Sequence, residues 1–373
     1  MRVTLDIQPA LAQGGGIGRY TRELLRHLPD AAPDLDFSAF FFDFNRRGLP
    51  FPPPPARTLR PCRWCPGRIA QQLWKRLHAP PYPFFAGPAD LYFFPTFLRP
   101  PMGRSRARTV VAIHDVSFLR LPETTEPKNL AWLRAGIAQS AKSADAIVTD
   151  SRFSASEIAE TLSVPPSKIH PVLLGVAPPP PAPDPGDAAR RRTRLGLLRP
   201  YLLMVSTIEP RKNIPFLVKV FEALRSFDGD LALVGGLGWK TGPILDAIAR
   251  SPASSRIRLL SHIPDPDLDA VYAGASAFVF PSLYEGFGLP PLEAMARGTP
   301  VVAARNSSLP EVLGDAPLWI DGWDPAHWAA SIQALLDSHS DLARLRAAGP
   351  LQASRFTWSS TAASTAALFR SLL

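Results

Sequence analysis

Cysteine is scarce in this sequence. There are two cysteines among 373 residues, which excludes the disulfide-rich class of small secreted proteins. Cys62 and Cys65 form a lone CxxC pair, and without a second pair it cannot supply the four ligands of a structural zinc site. Two interpretations stay open for the pair: a thioredoxin-type redox motif, or two reduced cysteines in a loop.

The sequence also lacks long hydrophobic runs. No stretch approaches the roughly 18 apolar residues that a membrane-spanning helix needs. The N-terminus, MRVTLDIQPALAQGGG, passes directly into a strand-like pattern and has no apolar core of signal-peptide length. We therefore expect a cytoplasmic protein without a membrane span.

Acidic residues are nearly missing from one long stretch of a basic chain. The formal net charge is +9, and residues 46–108 hold twelve basic residues against one acid, Asp90. Basic residues interleaved with aromatic ones favour an anionic membrane surface or a nucleic acid as partner. The alternative is a solvated charged face over ordinary core aromatics. No nucleic-acid-binding motif occurs, so no nucleic acid partner is expected. The interleaved aromatic residues are Trp64, Trp74, Tyr82, Phe84, Phe85, Tyr92, Phe93, Phe94 and Phe97.

The length and the pattern of the chain predict two α/β domains. A chain of 373 residues favours two domains, and 46% hydrophobic with 20% charged residues is typical of globular proteins. Strand-like and helix-like segments alternate on both sides of the proline-rich run APPPPAPDPGD, which indicates parallel sheets. We expect a Rossmann-like domain over 1–176, a linker over 177–189, and a second Rossmann-like domain over 190–355. A terminal helix over 356–373 is a candidate to pack back on the first domain, and the Pro/Arg-rich stretch 43–108 is predicted to be irregular.

A glycine cluster lies between the first strand and the first helix. Residues 2–8 alternate like a strand, residues 14–18 read GGGIG, and residues 19–28 have a helical pattern. The dinucleotide fingerprint GxGxxG does not fit, because neither Gly14 nor Gly16 starts a run with its last glycine in place, and no GK[ST] follows. The cluster is either a loop whose amides hold a phosphate or a tight strand-to-helix turn.

Two adjacent cations follow the first strand of the second domain. Arg211 and Lys212 stand between an apolar strand at 201–207 and a helix at 214–225. Open parallel sheets bind ligands at the carboxyl ends of their strands, and this pair suits a diphosphate. Cations at a helix N-terminus oppose the helix dipole. An anionic partner therefore explains the pair better than solvation does.

Two carboxylates eight residues apart flank a glycine-rich loop in FPSLYEGFGLPPLE. Glu285 comes just after a strand at 277–281, and Glu293 lies in the helix that follows. Gly286 and Gly288 let the loop pass close to a ligand. A carboxylate at the position of Glu293 can accept hydrogen bonds from a ribose diol. The glycines and prolines around Glu285 and Glu293 argue against the interpretation that these two glutamates are isolated surface charges.

The segment EGFGLPPLE resembles the E-x7-E motif of family 4 of the retaining glycosyltransferases. The resemblance extends over nearly the whole chain and is weakest over 43–108. It implies the GT-B fold, in which two Rossmann-like domains face each other across a cleft. The further segments that carry it are GGGIGRYT, HDVSF, TDSRFSASEI, EPRKN, HIPDPDLDAVYAGASAFVFPSLYEGFGLPPLEAMARGTPVVAA and a terminal FTW helix.

The resemblance also assigns roles to single residues. Lys212 and Arg211 match the pair that holds the donor diphosphate, Glu293 matches the ribose-binding glutamate, and Glu285 matches the glutamate near the transferred sugar. His114 matches a histidine near the reacting centre. The loop 261–265 matches the region that meets the nucleobase. The expected catalytic residues are Glu285, His114, Lys212 and Arg211, and the expected donor-binding residues are Gly15, Gly16, Arg211, Lys212, Gly286, Phe287, Gly288, Leu289 and Glu293.

The resemblance implies that no metal or cofactor is required, because the cations replace the metal. This holds although Asp265, Asp267 and Asp269 invite comparison with a DxD metal motif. Two routes to retention of the anomeric configuration stay open. One is same-face attack, in which the leaving phosphate takes the acceptor's proton, and the other is a covalent glycosyl-enzyme formed on a carboxylate.

Among family members, the chain looks most like bacterial mannosyltransferases. This implies GDP-mannose or another nucleotide-diphosphate sugar as donor. It also implies a glycan or polyprenyl-diphosphate-linked acceptor in the synthesis of a surface polysaccharide such as lipopolysaccharide. Peripheral binding to the inner face of the plasma membrane, through the basic N-terminal domain, is expected as well. The alternatives are a sugar-nucleotide epimerase or phosphorylase-like transferase with the same fold, and a non-catalytic binding protein.

Overall fold

The computed structural model describes residues 1–12, 15–52, 58–179, 185–261 and 263–373. It divides into two compact units. One comprises Met1–Val116, Ala131–Gly175 and Thr357–Leu373, and the other comprises Ser117–Leu130 and Val176–Phe356.

Both units are built from short helices and strands that alternate along the chain. The α-helices are α1 Gln8–Ala12, α2 Gly16–Ala31, α3 Gly67–Leu77, α4 Tyr82–Ala86, α5 Ser117–Arg120, α6 Pro127–Ser143, α7 Arg152–Leu162, α8 Pro185–Arg194, α9 Ile214–Ala223, α10 Gly242–Arg250, α11 Asp265–Gly274, α12 Leu289–Ala296, α13 Leu309–Leu313, α14 Pro325–Asp337, α15 His339–Ala353 and α16 Trp358–Leu372. No helix in the described ranges is both long enough and apolar enough to span a bilayer.

The first unit contains a parallel sheet of seven strands in the order β3-β2-β1-β4-β5-β6-β7. Its central strands are continuous runs of buried residues, as expected where helices cover both faces of a sheet. The strands are β1 Arg2–Asp6, β2 Asp36–Phe42, β3 Thr58–Cys62, β4 Leu91–Phe94, β5 Arg108–Ala112, β6 Ala146–Thr149 and β7 Ile169–Pro171.

The last helix, α16, belongs to the first unit. The Thr361 hydroxyl donates to the carbonyl of Leu173 at 2.8 Å, and the ring of Phe369 packs on Phe93 of β4. Gly175 allows this approach, since a Cβ there would lie 2.2 Å from the backbone nitrogen of Trp358.

The second unit has a parallel sheet of six strands in the order β10-β9-β8-β11-β12-β13. The chain reverses its direction of travel across the sheet between β8 and β11, which are neighbours. In sheets of this kind, the carboxyl edge of such a neighbouring pair is the usual place for a ligand. The strands are β8 Tyr201–Val205, β9 Asp230–Val234, β10 Ile257–Leu260, β11 Ala277–Phe280, β12 Val301–Ala304 and β13 Leu318–Ile320.

The expected fold class, α/β with two Rossmann-like domains, is confirmed. The prediction of an irregular stretch over 43–108 was wrong, because β3, α3, α4 and β4 lie within it. The prediction of one continuous first domain over 1–176 also needs correction, since Ser117–Leu130 groups with the second unit. The predicted linker 177–189 partly falls on residues outside the described ranges, and its last residues are helical because α8 begins at Pro185.

Candidate active site

The cationic pair is set by a sharp change of direction after β8. Pro210–Lys212 form a single 3-10 turn, and Asn213 adopts a left-handed conformation (φ 57°) from which α9 begins. Asparagine tolerates that conformation better than most residues do. The turn buries the Lys212 side chain and leaves that of Arg211 about four-fifths buried. Both cations thus lie at the carboxyl edge of the sheet, as predicted.

Glu285 meets both cations from the neighbouring loop, between β11 and α12. Its Oε1 accepts a hydrogen bond from Lys212 Nζ at 2.5 Å, and its Oε2 lies 3.2 Å from Arg211 Nη1. The other side of the guanidinium donates to Glu209 Oε1 at 2.8 Å. Because β8 and β11 are adjacent, residues more than seventy positions apart in the chain form one buried ionic cluster.

The cluster fixes the charge of Glu285. Burial alone would raise the pKa of this carboxyl, but Lys212 and Arg211 outweigh burial and lower the pKa to about 2. Glu285 is therefore ionised at neutral pH, so it can stabilise positive charge or accept a hydrogen bond but cannot donate a proton. Burial and Arg211 lower the pKa of Lys212 against the pull of Glu285.

Arg211 and Lys212 already have anionic partners within the chain. We expected an external anion to explain Arg211 and Lys212, and the structure shows that Glu285 and Glu209 already pair with them. An anionic ligand would therefore share these cations with the two carboxylates. Truncating one member of such a buried cluster is costly, because it leaves an opposite charge uncompensated.

Glu293 has a separate set of partners. It is buried within α12, and its Oε2 accepts a hydrogen bond from the Tyr272 hydroxyl at 2.9 Å. Arg297 lies over the Tyr272 ring at 5.3 Å and donates from Nε to Asp269 at 2.6 Å. These contacts hold α11 and α12 together and orient the Glu293 carboxylate.

The loop between Glu285 and α12 depends on one glycine. Gly288 has φ +100°, and a Cβ there would lie 2.5 Å from Leu309 Cδ2. The Phe287 ring is buried against Phe356, and α12 begins at Leu289. Two prolines without N–H groups come next in the sequence. Residues 290 and 291 therefore offer no backbone donor at this helix start.

In the first unit, Gly15 and Gly16 begin helix α2. Gly15 is the extended N-cap residue and Gly16 is the first helical residue. A Cβ added at either one would meet no atom of the described residues within 4 Å. Packing within the described chain therefore does not require glycine at these positions.

His114 follows β5 in the first unit and is buried. Its Nδ1 lies 3.0 Å from both carboxylate oxygens of Asp150, and its Nε2 lies 3.2 Å from the carbonyl of Pro95. Burial lowers the pKa of His114, but Asp150 outweighs burial and raises it above the usual value. Both partners are acceptors, so both ring nitrogens donate in the protonated form. This arrangement suits a hydrogen-bond donor better than a base.

Two of the three aspartates that resemble a DxD motif, Asp267 and Asp269, are engaged in ion pairs. Asp267 binds Arg191 and Arg194, each at 2.9 Å. Among the described residues, no group of three or more His, Cys, Asp or Glu side chains is arranged to hold a metal ion. That the reaction needs no metal stays a prediction. Of the predicted nucleobase loop 261–265, residue 262 lies outside the described residues.

Four residues that contact Glu285 or support its contacts were not predicted from the sequence. A search of the loops after neighbouring strands would have found three of them, since they follow β12, which pairs with β11. The fourth precedes Glu285 by three positions in the motif already considered. These residues are Ser282, Asn306, Ser307 and Ser308.

Comparison with known proteins agrees with this geometry. Residues 14–178 match the family model described as Glycosyltransferase Family 4, and residues 187–352 match the model described as Glycosyl transferases group 1. O-antigen chain mannosyltransferase B of Escherichia coli is 35% identical over 276 residues, which cover 72% of this chain and 71% of the relative.

Two further proteins extend the comparison. A D-inositol 3-phosphate glycosyltransferase of Thermobispora bispora is 33% identical over 277 residues, covering 71% of this chain and 64% of that protein. The solved structure of a sucrose-phosphate synthase from Thermosynechococcus elongatus has the same fold, with a TM-score of 0.76 and 19% identity over 100% of this chain and 99% of that one. The resemblance seen in the sequence is confirmed, and the chain belongs to the glycosyltransferases, with a family 4 region followed by a group 1 region.

Proposed function

We propose that this glycosyltransferase transfers a hexose, with mannose as the first candidate, from GDP-mannose to a glycan or polyprenyl-diphosphate-linked acceptor in surface polysaccharide synthesis. The observation that carries the proposal is the buried cluster of Arg211, Lys212 and Glu285 at the carboxyl edge of β8 and β11. The name of the Escherichia coli relative, an O-antigen chain mannosyltransferase, supports mannose and the pathway.

The cluster suits the departure of a nucleoside diphosphate. As the bond between the anomeric carbon and the phosphate oxygen breaks, its electron pair leaves with the diphosphate. Lys212 and Arg211 stabilise that growing negative charge, while the ionised Glu285 faces the positive charge left on the sugar. The acceptor oxygen then bonds to the anomeric carbon, and its proton passes to the departing phosphate.

The contacts of Glu285 favour this same-face route over a covalent intermediate. Each carboxylate oxygen is held by a cation, at 2.5 Å and 3.2 Å. Such contacts lower the nucleophilicity of a carboxylate and suit it to electrostatic stabilisation. The retaining outcome then comes from attack on the face that the leaving group vacates.

In this proposal, further residues of the second unit complete the donor site on that unit. Glu293 accepts hydrogen bonds from the ribose diol, and the amides of residues 286–289 face the phosphate and the sugar. A ligand close to the backbone would account for Gly15 and Gly16, which packing does not explain. The step needs no cofactor and no metal, because the protein supplies the cations.

Calorimetric titration of the purified chain with GDP, UDP and ADP, without added metal, tests this function. We expect GDP to bind most tightly. Preference for UDP would keep the chemistry and move the donor to a UDP-sugar. If none of the three nucleotides binds, the assignment of Arg211, Lys212 and Glu293 to a donor diphosphate is wrong.

We also propose that the enzyme works at the inner face of the plasma membrane, bound through helix α3 and the residues around it. The apolar stripe of α3 includes Ile69, Leu73 and Leu77, yet Ala70 is the one residue of this helix that is buried within the described chain. Ile69 and Leu77 are 52% and 67% exposed. At helical spacing Arg68 and Lys75 lie on the opposite side of the helix and Arg76 borders the stripe, and such an arrangement occurs in helices that lie in a membrane interface.

Two exposed aromatic rings extend this apolar surface. Trp64 is 59% exposed and Phe84 is 62% exposed, and their rings pack edge to face. Arg63 stands next to Trp64 in the chain, within the segment that has a single acid. Aromatic rings beside arginines match the chemistry of an anionic headgroup layer.

Sedimentation with vesicles tests the membrane proposal. The wild-type protein is expected to bind vesicles that contain anionic phosphatidylglycerol, less strongly as salt rises, and not to bind vesicles of phosphatidylcholine alone. The double variant Trp64→Ser, Phe84→Ser should bind several-fold less, whereas Trp323→Ser, an exposed tryptophan of the second unit, should bind normally. Failure of the wild type to sediment with anionic vesicles at any salt concentration would exclude the membrane partner.

A further inference from the structure

We infer that Ser282, Asn306, Ser307 and Ser308 form a positioning clamp that holds Glu285 in the orientation in which it meets Lys212 and Arg211. This inference rests on the proposed function, because it assigns to these four residues a role in the reaction at that site. None of the four was selected as a site residue from the sequence.

The clamp holds Glu285 at its side chain, its backbone N–H and its carbonyl. The Ser282 hydroxyl donates to Glu285 Oε1 at 2.6 Å, closer than to either carbonyl that it also approaches. The Glu285 N–H donates to Ser307 Oγ at 2.9 Å, and the Ser308 hydroxyl donates to the Glu285 carbonyl at 2.9 Å. Three serines therefore hold one glutamate at its carboxylate, its N–H and its carbonyl, and Ser282 shares Oε1 with Lys212.

Asn306 closes these contacts into a ring of hydrogen bonds. The Ser307 hydroxyl donates to Asn306 Oδ1 at 2.9 Å, and Asn306 Nδ2 donates to the Ser282 carbonyl at 2.9 Å. The path runs from the Glu285 backbone through Ser307, Asn306 and Ser282 back to the Glu285 carboxylate. A closed ring restricts the rotation of the carboxylate more than a single bond does.

The local backbone departs from ordinary preferences to build this ring. Ser307 has φ +48°, a left-handed conformation that serine rarely adopts. Ser308 is the N-cap residue of α13, yet its hydroxyl makes no capping bond and donates to Glu285 instead. Serine at this position usually caps its own helix. The strained backbone at Ser307 and the missing helix cap at Ser308 are both unfavourable, and both serve contacts with Glu285. This indicates that the placement of the Glu285 carboxylate matters for function.

In the proposed reaction, the clamp keeps the Glu285 carboxylate in place. The Glu285 carboxylate is attracted to two cations that the leaving diphosphate also needs. Anchored by the serines, it stays at its place when the diphosphate competes for Lys212 and Arg211. Without the anchor it would follow the cations toward the phosphate and leave the sugar. Loss of the clamp should therefore slow the chemical step and leave nucleotide affinity nearly unchanged.

The test compares Ser282→Ala and Ser307→Gly with the wild type. Three quantities are measured: the rate of GDP release from GDP-mannose, the Kd for GDP, and the melting temperature. We expect kcat to fall about 10- to 100-fold in Ser282→Ala, as for a lost hydrogen bond to a charged group, with the GDP Kd within about twofold. Ser307→Gly should lower kcat without lowering the melting temperature, since glycine relieves the strain at φ +48°. Ser251→Ala removes a buried serine elsewhere in the same unit and should leave kcat unchanged.

The outcomes separate the clamp from the proposed function. Normal kcat in both folded clamp variants would overturn the clamp and leave the donor site standing. If wild-type protein binds UDP instead of GDP, the same comparison with UDP-glucose applies with the same expectations. A wild type that binds no nucleotide and cleaves neither donor would overturn the proposed function, and the clamp with it.

Discussion

Replacing Lys212 by alanine is expected to lower kcat by about 10²–10³-fold, the loss found when one preorganised donor to a developing anion is removed. Lys212 is the more deeply buried of the two cations, so water cannot readily take its place. In the proposed reaction, the ammonium serves the leaving diphosphate as well as Glu285, with which it is paired. Its removal therefore weakens charge stabilisation and frees the glutamate at the same time.

The measurement is the rate of GDP release from GDP-mannose at saturating donor, together with the GDP affinity. Lys219→Ala is the matched control, because Lys219 lies exposed on α9 and loses the same charge. It should keep the wild-type rate. A rate near wild type in a folded Lys212→Ala protein would show that the diphosphate binds elsewhere.

Stability should fall in the same variant, and this must be separated from the effect on rate. Without Lys212, the buried Glu285 retains Arg211 and Ser282 as partners, and part of its charge is left uncompensated. Breaking a buried pair of this kind costs about 3–5 kcal/mol. Rates should therefore be compared at a temperature well below the melting point of the variant.

The fold and the centre of the site were readable in the sequence because their signals are local. Apolar runs that alternate with helical patterns predict parallel sheets, and ligand-binding residues follow strand ends. That rule selected Arg211, Lys212 and Glu285. The structure joins them because β8 and β11 are neighbours in the sheet.

The stretch 43–108 was wrongly predicted to be irregular because its strands and helices lack the sequence patterns that usually mark such elements. Strand β3 contains Pro61, and a proline within a run argues against a central strand. The sheet accommodates it because β3 is the edge strand. Helix α3 starts after Pro66 without a side-chain cap, so no capping pattern marked its beginning.

The clamp was missed for a different reason. Two of its hydrogen bonds join Glu285 to residues more than twenty positions later in the chain, and no periodicity links them. Serine and asparagine in NSS are typical of an ordinary turn before a helix. Only the adjacency of β11 and β12 shows that this turn faces Glu285. Such contacts depend on tertiary structure, and the sequence alone shows only that NSS follows a strand.

Replacing Glu293 by alanine is expected to raise the Kd for GDP about 10- to 100-fold, with a smaller effect on kcat. A carboxylate that accepts hydrogen bonds from a ribose diol stabilises the bound substrate and the transition state equally. Its loss therefore appears mainly as weaker binding. Alanine is a good helix former, so α12 should persist, although the Tyr272 hydroxyl loses the acceptor that it has at 2.9 Å.

Two further variants separate direct contact from packing. Tyr272→Phe keeps Glu293 but removes the hydroxyl that orients it, so it should weaken GDP binding by a smaller factor than Glu293→Ala. Glu222→Ala, on α9, removes a carboxylate of the same unit and should bind GDP normally. Wild-type affinity for GDP in Glu293→Ala would remove the ribose role from this residue. The second glutamate of the motif would then serve to join α11 to α12, and nucleotide recognition would have to come from residues 286–289.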